Sequence, residues 1–163
     1  MTIGQRRNPK DVTGFQASPE LAASLQRVLI DLIELQLQGK QAHWNVVGTN
    51  FRDRHLQLDE LVDFTRTSSD TIAERMRALG AVPDGRSDTV AATTSLPQIP
   101  GFEHNASEVV DLITTATYAA VGTLRDVHDA VDDADPSTAD LLHQTIDGLE
   151  KLAWLIKSEN RKV

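Results

Sequence analysis

Cysteine is absent from this 163-residue chain. Disulfide scaffolds, thiolate zinc sites, iron–sulfur clusters and cysteine nucleophiles are therefore excluded. Aromatic residues are scarce, with four Phe, two Trp and one Tyr, too few for the stacking platform of a single-stranded nucleic-acid reader. No apolar run approaches the ~18–20 residues of a membrane span. The N-terminus carries no apolar secretion segment, which predicts a cytoplasmic protein. No alternating stretch competes as a strand. Cations are outnumbered, 16 Lys and Arg against 24 Asp and Glu, for a net charge of −8, and an acidic chain opposes broad electrostatic binding to DNA. The length suits one domain with a single core.

What the chain does have is helical periodicity. Residues 1–18 read as a flexible basic tail: polar, interrupted by Gly4, Pro9 and Gly14, with Arg6, Arg7 and Lys10 against Asp11. They offer little apolar surface to offset the entropy of ordering. Ser18-Pro19 is a cap followed by a first-turn proline, and opens a helix to about Val47 with Leu21, Leu25, Val28, Leu29, Leu32, Ile33, Leu35 and Leu37 on its apolar face. Gly48-Thr49-Asn50 is a turn. A second helix, about Phe51 to Leu79, buries Leu56, Leu58, Leu61, Val62, Phe64, Ile72, Met76 and Leu79, and Gly80 stops it. Pro83, Gly85, Pro97, Pro100 and Gly101 punctuate the next stretch, which has room for one short helical turn near Ser87–Thr93. Asn105 with Glu108 predicts a capping box before a third helix ending near Asp133, and Asp135-Pro136 starts a fourth that ends near Asn160. Two helical hairpins joined by a long connection make an all-α, ferritin-like four-helix bundle over 19–160, with the second and third helices parallel.

The chemistry concentrates around the first turn. His43 and His55 lie equally far from position 49, so antiparallel packing puts them at one height. Asp59 follows His55 by one helical turn and shares its face. Imidazole and carboxylate together suit iron, manganese or zinc. Asp70 and Glu74 form a second pair four apart on the second helix, but Asp59 and Asp70 are roughly 16 Å apart along it, against a metal–ligand bond of ~2 Å. One chain cannot bring both clusters to one ion. Two chains related by a two-fold axis can, with two identical sites per dimer. Taken singly, Asp70 and Glu74 suit a solvated helix face, and His43 beside Trp44 suits packing; the joint pattern points to a metal.

His43-Trp44-Asn45-Val46-x-Gly48-x-x-Phe51-x-x-x-His55-x-x-x-Asp59-Glu60, followed by Asp70-x-x-x-Glu74-Arg75, resembles the signature of the Dps family, the ferritin-like DNA-protection proteins of starved bacteria. The resemblance runs from about Pro19 to the Lys151-x-x-Trp154 element. It implies a ferroxidase and iron store: a hollow homododecamer built on two-fold dimers that oxidises Fe²⁺, preferably with hydrogen peroxide. It also implies metal ligands His43, His55 and Asp59 from one subunit and Asp70 and Glu74 from its partner, the division that spacing alone had required. No Glu-x-x-His motif of the larger ferritins is present. Trp44 would lie near the iron, either intercepting stray oxidising equivalents or clamping the subunits together. Zinc is a chemically permitted substitute for iron.

Six aspartates, Asp126, Asp129, Asp132, Asp133, Asp135 and Asp140, crowd the corner between the third and fourth helices. In ferritin-like shells such a corner surrounds a cation pore, to which Asp132, Asp133, Asp135 and Asp140 are assigned as expectations; solubility and a helix cap are the simpler account. His104, His128 and His143 show no second ligand at a convincing spacing and read as surface or packing residues. Arg6, Arg7 and Lys10, multiplied across many subunits, are candidate non-specific DNA contacts, with Lys157, Arg161 and Lys162 facing Glu159 at the other end. They keep two other readings open: a nucleoid-associated architectural protein with secondary metal binding, and a metal-free helical scaffold.

Overall fold

The computed structural model describes residues 14–162. Its first helix begins where the cap chemistry requires. The Ser18 hydroxyl accepts the Leu21 amide at 3.1 Å, and Pro19 opens α1 (Pro19–Asn45). Gly39 does not interrupt it. After β1 (Val46–Val47) and a tight turn comes α2 (Phe51–Ala78), then the short α3 (Ser87–Thr93), β2 (His104–Asn105), α4 (Ala106–Ala134) and α5 (Pro136–Ser158). The expected short turn is α3, and the four long helices fall within a few residues of their expected limits. Among the described residues no helix is long and apolar enough to cross a membrane.

The two-residue strands were not expected. They pair in parallel, Val46 with His104 and Val47 with Asn105, which seats the end of α1 beside the start of α4. Since α2 also starts there, α2 and α4 run parallel, as the long connection predicted. The expected capping box does not form. Asn105 occupies the cap position without a side-chain cap bond, because its backbone belongs to the strand pair, and Glu108 instead lies 3.5 Å from His104 Nδ1.

Leu25, Leu32 and Leu35 of α1, Leu58, Leu61, Ile72 and Met76 of α2, Ile113 and Leu124 of α4, and Leu142 and Leu149 of α5 form the centre of the core. Truncating any one of them to alanine should cost about 2–5 kcal/mol. Gly148 lets α5 lie close to α2, since a Cβ there would stand 2.1 Å from the Phe64 ring. Two residues expected inside are outside: Leu37 is 53% exposed and Leu56 47%.

Buried polar groups fasten the connection between the hairpins. The Asp31 carboxylate, on α1, accepts from the Thr94 hydroxyl (2.9 Å), the Ser95 amide (2.9 Å) and hydroxyl (2.5 Å), and the Thr123 hydroxyl on α4 (2.7 Å). One turn on, Glu34 accepts from Gln38 and Gln98, both at 2.8 Å. Gln26 bonds both backbone groups of Asp84. At the other end of the chain, the buried Arg54 guanidinium on α2 is paired with Glu159, just beyond α5.

Candidate metal centre

The turn between α1 and α2 depends on left-handed backbone at two positions, Gly48 (φ +94°) and Asn50 (φ +63°). The first demands glycine and the second is a conformation asparagine tolerates well. The Gly48 carbonyl accepts the Phe51 amide at 3.1 Å and closes the turn. His43 and His55 then face each other, their rings stacked with centroids 3.5 Å apart.

Their hydrogen bonds are reciprocal. His43 Nδ1 lies 2.9 Å from the His55 carbonyl, and His55 Nδ1 lies 3.0 Å from the His43 carbonyl. A carbonyl oxygen only accepts, so each Nδ1 carries a proton and donates. In the neutral rings both Nε2 atoms consequently keep their lone pairs, the arrangement that second-shell bonding imposes on metal-ligating histidines. Asp59 supplies the carboxylate: one ligand atom from each of His43, His55 and Asp59 lies within 4.8 Å of the others, and among the described residues no other group of three or more ligating side chains gathers in this way. Two imidazole nitrogens and a carboxylate oxygen fit a divalent transition metal.

Lys40 was missed as a member of this site. Its ammonium donates to Asp59 Oδ1 at 2.5 Å. That bond, helped by the charges of His43, Lys40 and His55 and opposed by partial desolvation, holds the Asp59 carboxyl below the usual carboxylate range. The available signal was its position one turn before His43 on α1. Asp70 and Glu74 stay outside the cluster, exposed farther along α2, as the helix-rise argument required. Several large apolar side chains of this hairpin are exposed: Trp44 is 69% exposed, Phe51, Val47, Leu37 and Leu56 are open to solvent with it, and the Phe51 ring lies 5.3 Å from that of His55.

Residues 22–163 match the family model described as a ferritin-like domain. Over 138 residues the chain is 38% identical to the DNA protection during starvation protein 2 of Deinococcus radiodurans, covering 83% of this chain and 56% of that one. The solved structure of Dps92 from the same organism matches with a TM-score of 0.85 and 33% identity, over 88% of this chain and 87% of that one. The chain belongs to the Dps family of ferritin-like proteins. It spans a little over half the length of the first of these relatives. A relative with a different name, the fine tangled pili major subunit of Haemophilus ducreyi, is also 38% identical over 138 residues, covering 85% of this chain and 73% of that one.

In this Dps-family chain the acidic corner is not uniform. Asp132, Asp133 and Asp140 are exposed. Asp135 is largely enclosed, accepting from Arg75 at 2.7 Å and from the Thr138 hydroxyl at 2.5 Å. Desolvation pushes its pKa up, but these bonds, the Arg75 charge and the Ser137 amide outweigh it, and the carboxyl sits below its ordinary value. The candidate DNA contacts Arg6, Arg7 and Lys10 lie outside the described residues. At the C-terminal end, Glu159 is engaged by Arg54, while Lys157 stands 5.7 Å from the centre of the Tyr118 ring.

Proposed function

We propose that this protein is a ferroxidase and iron store whose oxidation site is completed between two copies of the chain. The observation that carries the reading is the gathering of one ligand atom from each of His43, His55 and Asp59 within 4.8 Å of one another, with the reciprocal bonding of the two histidines leaving each Nε2 a lone pair. Fe²⁺ is the substrate. His43, His55 and Asp59 of one subunit hold it, and Asp70 and Glu74 of a second, packed about a two-fold axis, complete the ligand set. The exposure of Leu37, Trp44 and Leu56 on the two helices that carry the half-site supports that packing, because large apolar side chains left open on one hairpin suit a partner surface. Trp44 would then lie against the iron.

Two Fe²⁺ ions give one electron each to hydrogen peroxide; with two protons the products are two Fe³⁺ and two water molecules. Pairing the electrons avoids release of hydroxyl radical. Ferric ion is stored inside a hollow homododecamer, which Fe²⁺ reaches through the corner of Asp132, Asp133, Asp135 and Asp140. Removal of iron and peroxide protects DNA, and basic tails with Arg6, Arg7 and Lys10 would add direct, non-specific contact in a cytoplasmic, nucleoid-associated particle. Zn²⁺ competes for the same ligands.

The test is the double substitution His55→Ala/Asp59→Ala, assayed by anaerobic Fe²⁺ loading followed by peroxide. Oxidation should fall to the protein-free rate while particle mass is unchanged. Wild-type kinetics in that variant would refute the site.

A further inference from the structure

His128 and His143 lack a second ligand when the chain is read residue by residue. The fold supplies one, because they meet each other. Asp135 marks the turn between α4 and α5, and the two histidines stand nearly equidistant from it, so the antiparallel helices bring them to one height. His128 Nε2 and His143 Nε2 are 2.6 Å apart, with ring centroids at 4.6 Å. The outer nitrogens face carboxylates: His128 Nδ1 lies 2.9 Å from Asp129 Oδ1, and His143 Nδ1 lies 3.6 Å from Asp140 Oδ1.

These contacts fix the protonation pattern of the neutral pair. His128 donates from Nδ1 to Asp129, which leaves its Nε2 a lone pair. His143 must then donate from Nε2 into that lone pair. The same inward-facing geometry admits a cation in place of the shared proton. If the His143 proton moves from Nε2 to Nδ1, toward Asp140, both Nε2 atoms present lone pairs and no proton is released. Two imidazoles on a tetrahedral ion with ~2.0–2.1 Å bonds stand about 3.3 Å apart, a small outward rotation from the observed separation. Asp129 then plays the part of the carboxylate that orients a metal-bound histidine.

The surroundings favour a cation. Asp147 and Glu150 line the same cleft. Its one guanidinium, Arg125, is paired with Glu150 at 2.5 Å. The cleft is open, with the His128 side chain 24% exposed and that of His143 56%. It is also separate from the first centre: α4 begins beside the His43 end of the bundle, and His128 lies roughly 33 Å farther along it.

The geometry points to a second metal site, His128 and His143, which binds one divalent transition ion through two imidazoles with water completing the sphere. Nitrogen donors set its class: Zn²⁺ and neighbouring first-row ions bind, and Mg²⁺ and Ca²⁺, which take oxygen, do not.

The experiment is calorimetric titration of the full-length particle with Zn²⁺ in a large excess of Mg²⁺. Wild type should bind one more equivalent per chain than His128→Gln/His143→Gln, whose helical signal and melting temperature should match wild type because both side chains reach the surface. Asp129→Asn should retain that equivalent with affinity reduced about tenfold, the scale of a lost orienting carboxylate. Equal stoichiometry and affinity in the double variant, or displacement of the extra equivalent by Mg²⁺, would overturn the site. Since the ligands at His43 and His55 are untouched, ferroxidase activity in the double variant separates the two centres.

Discussion

At the scale of single residues, Lys40 sets up a competition at the proposed metal centre. Its ammonium occupies a carboxylate oxygen that a cation would need. Replacing it with glutamine removes the competing charge while keeping the helix. Asp59 remains an anion at neutral pH even at its ordinary pKa of ~3.9, so Co²⁺ or Fe²⁺ binding at pH 7 should tighten a few-fold, the scale expected of an exposed ion pair. Weaker binding in Lys40→Gln would mean that Lys40 positions Asp59 for the metal instead of opposing it. The histidines show what can be read at this scale. His43 and His55 are legible from their equal spacing about position 49, and Asp59 from its place one helical turn after His55. His128 and His143 stand seven and eight residues from Asp135, a near-symmetry that no motif marks, so in the sequence neither has a second ligand at a convincing spacing.

Elements are held in place by a few polar ties that periodicity does not report. The helix limits were legible from Ser18-Pro19, Gly48 and Asp135-Pro136, since caps and prolines act locally. The buried anchors Asp31, Glu34 and Arg54 carried no such signal, because their partners are distant in sequence. Leu37 and Leu56 were misassigned for a related reason: a 3.6-residue period marks an apolar face without saying whether it meets the chain's own core or another surface. Asp135 belongs to this scale, since it ties the α4–α5 turn to Arg75 of α2. Its native pKa is lowered, so the native state releases this proton where the unfolded chain would still hold it. The stabilisation is complete above the ordinary carboxylate pKa of ~3.9 and disappears as pH falls through the lowered value. Asp135→Ala should therefore lose about 1.5–3 kcal/mol at pH 7, the scale of a hydrogen bond to a charged group, with the deficit shrinking in acid. Asp140→Ala should leave thermal unfolding unchanged and, if this corner admits iron, slow Fe²⁺ uptake.

As a whole molecule the chain is acidic but unevenly so. The three cations and one anion of residues 1–18 leave the remainder at −10. If tails make the DNA contacts, the shift in a gel should weaken steeply with salt, as counterion release requires, and vanish when residues 1–13 are deleted. Persistence of the shift in the deleted protein would move the contact to Lys157, Arg161 and Lys162. Assembly can be separated from ligation by Leu37→Glu/Trp44→Glu, which leaves all five proposed ligands intact. Light scattering should show small species in place of the particle, and ferroxidase activity should fall with particle mass. A fully assembled, fully active variant would place the interface elsewhere.

The Arg54–Glu159 pair also limits where this chain tolerates being cut. Ending the chain at Ser158 would remove only the five residues that follow the final helix, a change that looks harmless at an exposed end. It would leave the buried Arg54 guanidinium with Gln57 but without its counter-charge, a destabilisation held below that of a fully buried pair because Glu159 is 40% exposed, in the residue directly before His55. Loss of Glu159 would therefore register first beside the proposed metal centre, whereas fusions that leave Glu159 in place should be well tolerated.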